Sequence, residues 1–98
     1  MSTRKPRLIY AASAVDDLLR LRDFIARNDP TAAARIGSEL IKRIEALHTF
    51  PKLGKPVDMA PDPESVRDMV FGNYVVRYAL KSGTVAVLRV WHGLEARK

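Results

Sequence analysis

Apolar positions along this chain change their period between its first and second halves. In the first half Ala14, Leu18, Leu21 and Ile25 recur at helical spacing, Val15 and Phe24 widen the stripe, and Asp17, Arg20, Asp23 and Arg27 form the polar side. That period predicts an amphipathic helix of about fourteen residues. Ser13 is placed as its N-cap with Asp16 three positions on, and the adjacent Asp16 and Asp17 suit the positive end of the helix dipole. Asn28-Asp29-Pro30 ends the helix, and Asp29 can cap a second one whose first residue is Pro30, where proline loses no intrahelical bond. Ala33, Ile36, Leu40, Ile44 and Leu47 mark the buried face of that second helix, with Leu18 and Leu40 expected between hairpin and sheet. So short a turn forces the two helices antiparallel, a hairpin over about residues 13–48.

The second half reads differently. From Phe50, the residues Pro51, Gly54, Pro56, Pro61 and Pro63 forbid helix and interrupt a sheet ladder, which predicts an irregular loop over about residues 49–64. Ser65–Phe71, Tyr74–Leu80 and Thr84–Trp91 are rich in Val, Tyr, Phe and Trp and are separated by Gly72-Asn73 and Lys81-Ser82-Gly83. They predict a three-stranded antiparallel meander over about residues 65–92. The last strand is apolar almost throughout, interrupted only by Arg89, and so belongs inside the sheet. With the short extended run Arg7–Tyr10 in front, the class is α+β: an N-terminal strand, an antiparallel helical hairpin and a meander. Only the first six and last few residues are expected to fray.

Composition narrows the chemistry. Its 98 residues fit one domain, residues 1–98. The absence of cysteine removes disulfides, thiolate catalysis and Cys-bound zinc, and two histidines make a poor metal cage, so no cofactor or metal is expected. No apolar run approaches the roughly 20 residues needed to cross a bilayer, and no signal-peptide core follows the N-terminus; a cytoplasmic protein without membrane contact is expected. A net charge of +6 biases the chain toward acidic or polyanionic partners. Phosphate-binding loops, dinucleotide fingerprints, nucleophile elbows and zinc spacings are absent.

The remaining candidates are cationic. Arg67, Arg77 and Arg89 fall on predicted strands, with Trp91 and His92 at the end of the last and Arg97 and Lys98 beyond. On one side of a sheet, such arginines with one histidine bind a phosphate and assist attack of a 2′-hydroxyl on its neighbour. The alternative reading makes them solvated residues paired with Asp68, Glu64 or Glu95. His92 is a general acid or base on the first reading and a structural hydrogen-bonding residue on the second. His48 suits the C-terminus of the second helix. Trp91 and Tyr78 either stack on a base or pack in the core, and Lys52 and Lys55 are placed to touch a polyanion from the loop.

In order and in detail the chain resembles the RelE/ParE superfamily of bacterial toxin–antitoxin toxins. The likeness lies in Ala14-Val-Asp-Asp-Leu18 with Asp23-Phe-Ile-Ala-Arg27, in Leu47-His-Thr-Phe-Pro51 with Gly54, in Val66-Arg67, in Gly72-Asn-Tyr-Val-Val-Arg-Tyr78 and in Val87-Leu-Arg-Val-Trp-His92. It implies a type II toxin that arrests growth and is neutralised by a small ParD- or RelB-like antitoxin, docked on the hairpin and sheet. The ParE branch poisons DNA gyrase without a known nuclease site. The RelE branch cleaves mRNA in the ribosomal A site, usually with an Arg directly after the first Tyr of the Tyr74–Tyr78 strand. Here that position is Val75. The resemblance therefore implies a gyrase inhibitor, with Lys52, Lys55, Arg89, Trp91 and Arg97 as target-binding residues. The ribosome-dependent endonuclease, with Arg67, Arg77 and His92 as its catalytic residues, is the alternative, and a non-toxic basic nucleic-acid-binding module is a third.

Overall fold

Asp29 caps the second helix as its position predicts, its carboxylate accepting from the Ala32 N–H at 3.1 Å with Pro30 in the first turn. The computed structural model describes residues 6–57 and 65–93. In chain order it contains β1 (Arg7–Tyr10), α1 (Ala12–Asn28), α2 (Pro30–Glu45), a 3-10 turn (Ala46–His48), β2 (Lys55–Pro56), β3 (Val66–Phe71), β4 (Tyr74–Lys81) and β5 (Thr84–His92). The predicted meander is the centre of a larger sheet of order β1-β5-β4-β3-β2, in which β1 runs parallel to β5 and the rest is antiparallel. β5 is internal along its first half, as its apolar run requires.

The helical hairpin covers one face of the sheet. Leu21 and Ile25 from α1, Leu40 and Ile44 from α2, and Leu47 pack against Val76 and Tyr78 of β4 and Val85, Val87 and Val90 of β5. Leu40 is buried as expected, whereas Leu18 is only partly so. The Ser82-Gly83 turn takes positive φ at both residues, 50° and 74°, the left-handed backbone of a tight hairpin.

Three sequence expectations need correction. Ser13 is not the N-cap of α1: the helix already starts at Ala12 and runs to 17 residues, Ala11 precedes it without a side-chain cap, and the Ser13 hydroxyl donates to the Leu88 carbonyl at 2.7 Å. Asp17 is not on the solvated side but buried against the sheet. The Pro/Gly loop is not wholly irregular, since Lys55 and Pro56 form an edge strand against Asp68 and Arg67, a position where proline is tolerated.

The first two departures share a cause. β1 pairs with β5 only as far as Val87, where the Ala11 N–H makes the last backbone bond. Beyond it the edge of β5 needs other partners. Ser13 donates to the Leu88 carbonyl, Asp17 accepts from the Val90 N–H at 2.8 Å, and Arg20 donates to the Val90 carbonyl at 3.3 Å. One stripe of α1 side chains thus replaces the missing strand.

Candidate functional site

The sheet register decides which candidate residues share a face. Phe71 pairs with Tyr74 across the Gly72-Asn73 turn, so Met69 meets Val76, Arg67 meets Tyr78 and Asp68 meets Arg77. Side chains alternate along a strand. Arg67, Tyr78, Val76 and Tyr74 therefore face the helices, while Asp68, Arg77 and Val75 lie on the outer face. In β5 the register slips by one residue between Arg77 and Tyr78: Val87 faces Tyr78, Arg89 faces Arg77, and Leu88 is the extra residue of a bulge. The slip sets His92 opposite Tyr74 on the helix side and Trp91 opposite Val75 on the outer side.

The endonuclease trio is consequently not assembled. Arg67 and His92 lie under the helices while Arg77 is on the other face, and Arg67 and His92 sit four residues apart along β4, about 13 Å. Arg67 is 7% exposed and its guanidinium donates to the Gly54 carbonyl at 2.7 Å. Tyr78, fully buried, accepts from the Gly54 N–H at 2.8 Å and donates to the Pro51 carbonyl at 2.8 Å. Burial pushes its phenol pKa up, against the Gly54 N–H and Arg67, which pull it down. A Cβ on Gly54 would lie 2.7 Å from the Asp68 carbonyl oxygen, so only glycine fits this knot. His92 is packed between rings, edge-on to Tyr74 at 4.9 Å and tilted to Phe24 at 5.4 Å.

On the outer side the arginines are held by carboxylates. Arg77 forms a two-pronged pair with Asp68, at 2.8 and 2.9 Å, and its guanidinium lies 5.2 Å above the Trp91 ring. Arg89 forms a second such pair with Asp17, at 2.7 and 3.1 Å, and Arg20 adds a third contact to the same carboxylate at 2.6 Å. Burial alone would raise the Asp17 pKa, but hydrogen bonds from Arg89, Arg20 and the Val90 N–H together hold it below the usual value. Of the expected partners of the strand arginines, Asp68 serves Arg77; Glu64 and Glu95 lie outside the described residues, as does Arg97. Asp17 as the partner of Arg89 was missed, although Ser13, Asp17 and Arg20 repeat at the helical spacing that flags a packed stripe.

Lys52 on the loop and Lys55 on β2 are exposed, where a partner can reach them. His48, at the end of the 3-10 turn that follows α2, ties that turn to the residue before β1, its Nδ1 donating to the Pro6 carbonyl at 3.0 Å. Tyr78 and Trp91 pack rather than present open rings, Trp91 beneath Arg77. Among the described residues no three His, Cys, Asp or Glu side chains cluster to hold a metal, and no described helix is long and apolar enough to cross a membrane. The arrangement offers cations and apolar surface for binding; the described candidates bring no acid and base together around a common point.

Known proteins resemble this chain over most of its length. Toxin RelE1 of Caulobacter vibrioides is 36% identical over 92 residues, covering 92% of this chain and 96% of the relative. Toxin RelE2 of the same organism is 28% identical over 87 residues, covering 88% and 93%. Two solved structures share the fold: the chromosomal ParDE TA system from P. aeruginosa, with a TM-score of 0.78 at 17% identity over 92% of this chain and 98% of that one, and the toxin-antitoxin complex RelBE2 from Mycobacterium tuberculosis, with 0.67 at 20% over 93% and 94%. Residues 8–97 match the family described as ParE toxin of the type II toxin-antitoxin system parDE. With nearly the whole chain so matched, this protein belongs to the ParE toxin family of type II toxin–antitoxin systems, within the RelE/ParE superfamily.

Proposed function

We propose that this toxin acts as a ParE-like inhibitor of DNA gyrase rather than as a nuclease, and that a small acidic antitoxin neutralises it. The observation that carries the reading is the dispersal of Arg67, Arg77 and His92 over two faces of the sheet, with Arg67 and His92 buried in structural contacts. Cleavage of a phosphodiester by general acid–base chemistry requires its groups within hydrogen-bond reach of one phosphate. Val75, flanked by Val70 and Trp91, adds no cation at the position where the endonucleases usually carry one. Lys52, Lys55 and Arg89 remain as accessible contacts for the target. The antitoxin reading draws on the two solved neighbours, a ParDE toxin–antitoxin system and a RelBE2 toxin–antitoxin complex.

A second reading has its own support. The relative at 36% identity is named Toxin RelE1, which favours ribosome-dependent mRNA cleavage. The two separate in a parallel assay of the purified toxin for gyrase-dependent DNA cleavage and for mRNA cuts in a translating extract. The gyrase reading expects cleaved DNA and intact mRNA. Codon-positioned mRNA cuts, lost in Arg77→Ala with the fold intact, would replace it by the endonuclease. Arg77 is the informative position because its pair is partly exposed, so its removal disturbs the fold less than removal of the buried Arg67 would.

A further inference from the structure

The two ends of the central strands differ in what their cations meet. Toward the end of β5, Arg77 and Arg89 are gripped by Asp68 and Asp17. At the opposite end, Thr84 pairs with Arg7 of β1 on one side and with Lys81 of β4 on the other. Side chains on one rung of a sheet point to the same face, so Arg7 and Lys81 stand two strand spacings apart, about 10 Å, with Thr84 between them. Both cations are exposed. Lys81 lies four residues from Arg77 along β4, about 13 Å, so this pair is separate from the arginines already described.

Arg7 and Lys81 border a cleft of about 570 Å³ whose apolar lining is Pro6, Pro51 and Leu80. Among the described residues that line it there is no carboxylate. Exposed Lys52, next to Pro51, extends the positive rim. Each wall is fastened from behind. The Arg7 N–H donates to the Gly83 carbonyl at 2.9 Å, and the Leu80 N–H to the Ser65 carbonyl at 2.6 Å. His48 holds the Pro6 carbonyl at 3.0 Å, and the Tyr78 hydroxyl holds that of Pro51 at 2.8 Å. A cleft so tied is formed before its partner arrives, and little ordering entropy opposes binding.

We infer that this cleft is a contact of the toxin with its target: an acidic segment of gyrase sets an apolar side chain against Pro6, Pro51 and Leu80 and turns its carboxylates to Arg7 and Lys81. The inference rests on the gyrase reading above. Two cations flanking an apolar lining select a peptide that carries both kinds of side chain. A nucleic-acid backbone, charged at every residue, would satisfy the cations and leave the apolar lining uncovered. A second copy of this chain carries the same +6 and would bring cations toward cations at the rim.

The test uses the full-length toxin with purified gyrase and supercoiled DNA. Arg7→Glu combined with Lys81→Glu, both at exposed positions, is expected to raise the toxin concentration needed for gyrase-dependent DNA cleavage at least about tenfold at an unchanged melting temperature. Arg7→Gln with Lys81→Gln, which adds no new charge, is expected to raise it at least about threefold and serves if the glutamates disturb folding. Cleavage by a folded double variant at the parent's concentration overturns the cleft and leaves the gyrase reading standing. Binding of linear duplex DNA by the parent without gyrase, lost in the glutamate variant, overturns it in favour of a nucleic-acid contact. Loss of antitoxin binding with undiminished cleavage gives the cleft to the antitoxin instead. A parent toxin that leaves the DNA uncleaved defeats the gyrase reading, and the inference with it.

Discussion

Two Arg–Asp pairs with nearly the same geometry lie side by side in this molecule. Arg77 and Arg89 face each other across β4 and β5, and each grips an aspartate with Nε and one terminal nitrogen. They differ in where the carboxylate is. The Asp68 side chain is 26% exposed and touches one arginine, whereas the Asp17 side chain is 3% exposed and receives two arginines and a backbone N–H. A partly exposed pair still exchanges many of its water contacts for protein contacts, at a small net gain. A buried carboxylate cannot lose its partners without leaving desolvated groups behind. The same side chains are thus decoration on one strand and a fastening on the next, and burial of the acid makes the difference.

Substitutions rank accordingly. Asp17→Ala is expected to cost about 3 kcal/mol, because it strands the Val90 N–H and releases α1 from the edge of β5. Thermal melting should fall by more than about 10 °C. An equal loss in Asp68→Ala would break the comparison. Gly54→Ala is expected to cost about 2 kcal/mol, measured by urea unfolding, because its Cβ must displace the backbone of Asp68. Tyr78→Phe should cost about 1 to 2 kcal/mol by the same measurement, since it leaves the Gly54 N–H unsatisfied inside the protein.

The acid limb sharpens the same contrast. Asp17 has a folded pKa below its unfolded value near 3.9, so its contribution is complete above about pH 5 and is lost as pH falls through the folded pKa. Asp17→Asn should flatten the stability of the protein below pH 4 in a pH series of melts; an unchanged acid limb would show that other carboxylates govern it. Smallest of all, Arg77→Ala and Asp68→Ala should each cost less than about 1 kcal/mol, detected as a melting shift of a few degrees.

Much of the fold was legible because period and punctuation agree. The apolar spacing of Leu21, Ile25, Leu40 and Ile44, the Asp29-Pro30 start and the turns at Gly72 and Ser82-Gly83 all reappear where the pattern put them. The separation of Arg67 from Arg77 was also written there. Once Phe71 and Tyr74 flank a two-residue turn, Arg67 falls opposite Tyr78, and Arg77 must point the other way. The burial of Asp17 was harder, since an aspartate on a helix counts as polar until the strand it serves is known. The end of β1 at Tyr10 was in the pattern, but nothing local revealed that β1 would pair with β5 and leave Leu88 and Val90 to α1.

The extra residue at Leu88 acts as a phase shift. Lys81 faces Thr84 across the last turn, and an unbroken ladder from there would carry Trp91 to a place opposite Tyr74. With one residue more, His92 arrives there instead and the indole moves to the outside. Pairing Leu88 with Arg77 in a ladder without the bulge would exchange their positions, giving the outer face an imidazole and the helix side an indole with no change of sequence. Deleting Leu88 instead would leave both where they are, because the bulge already holds that residue out of the ladder. What the end of β5 presents is set by how its residues pair as much as by their identity.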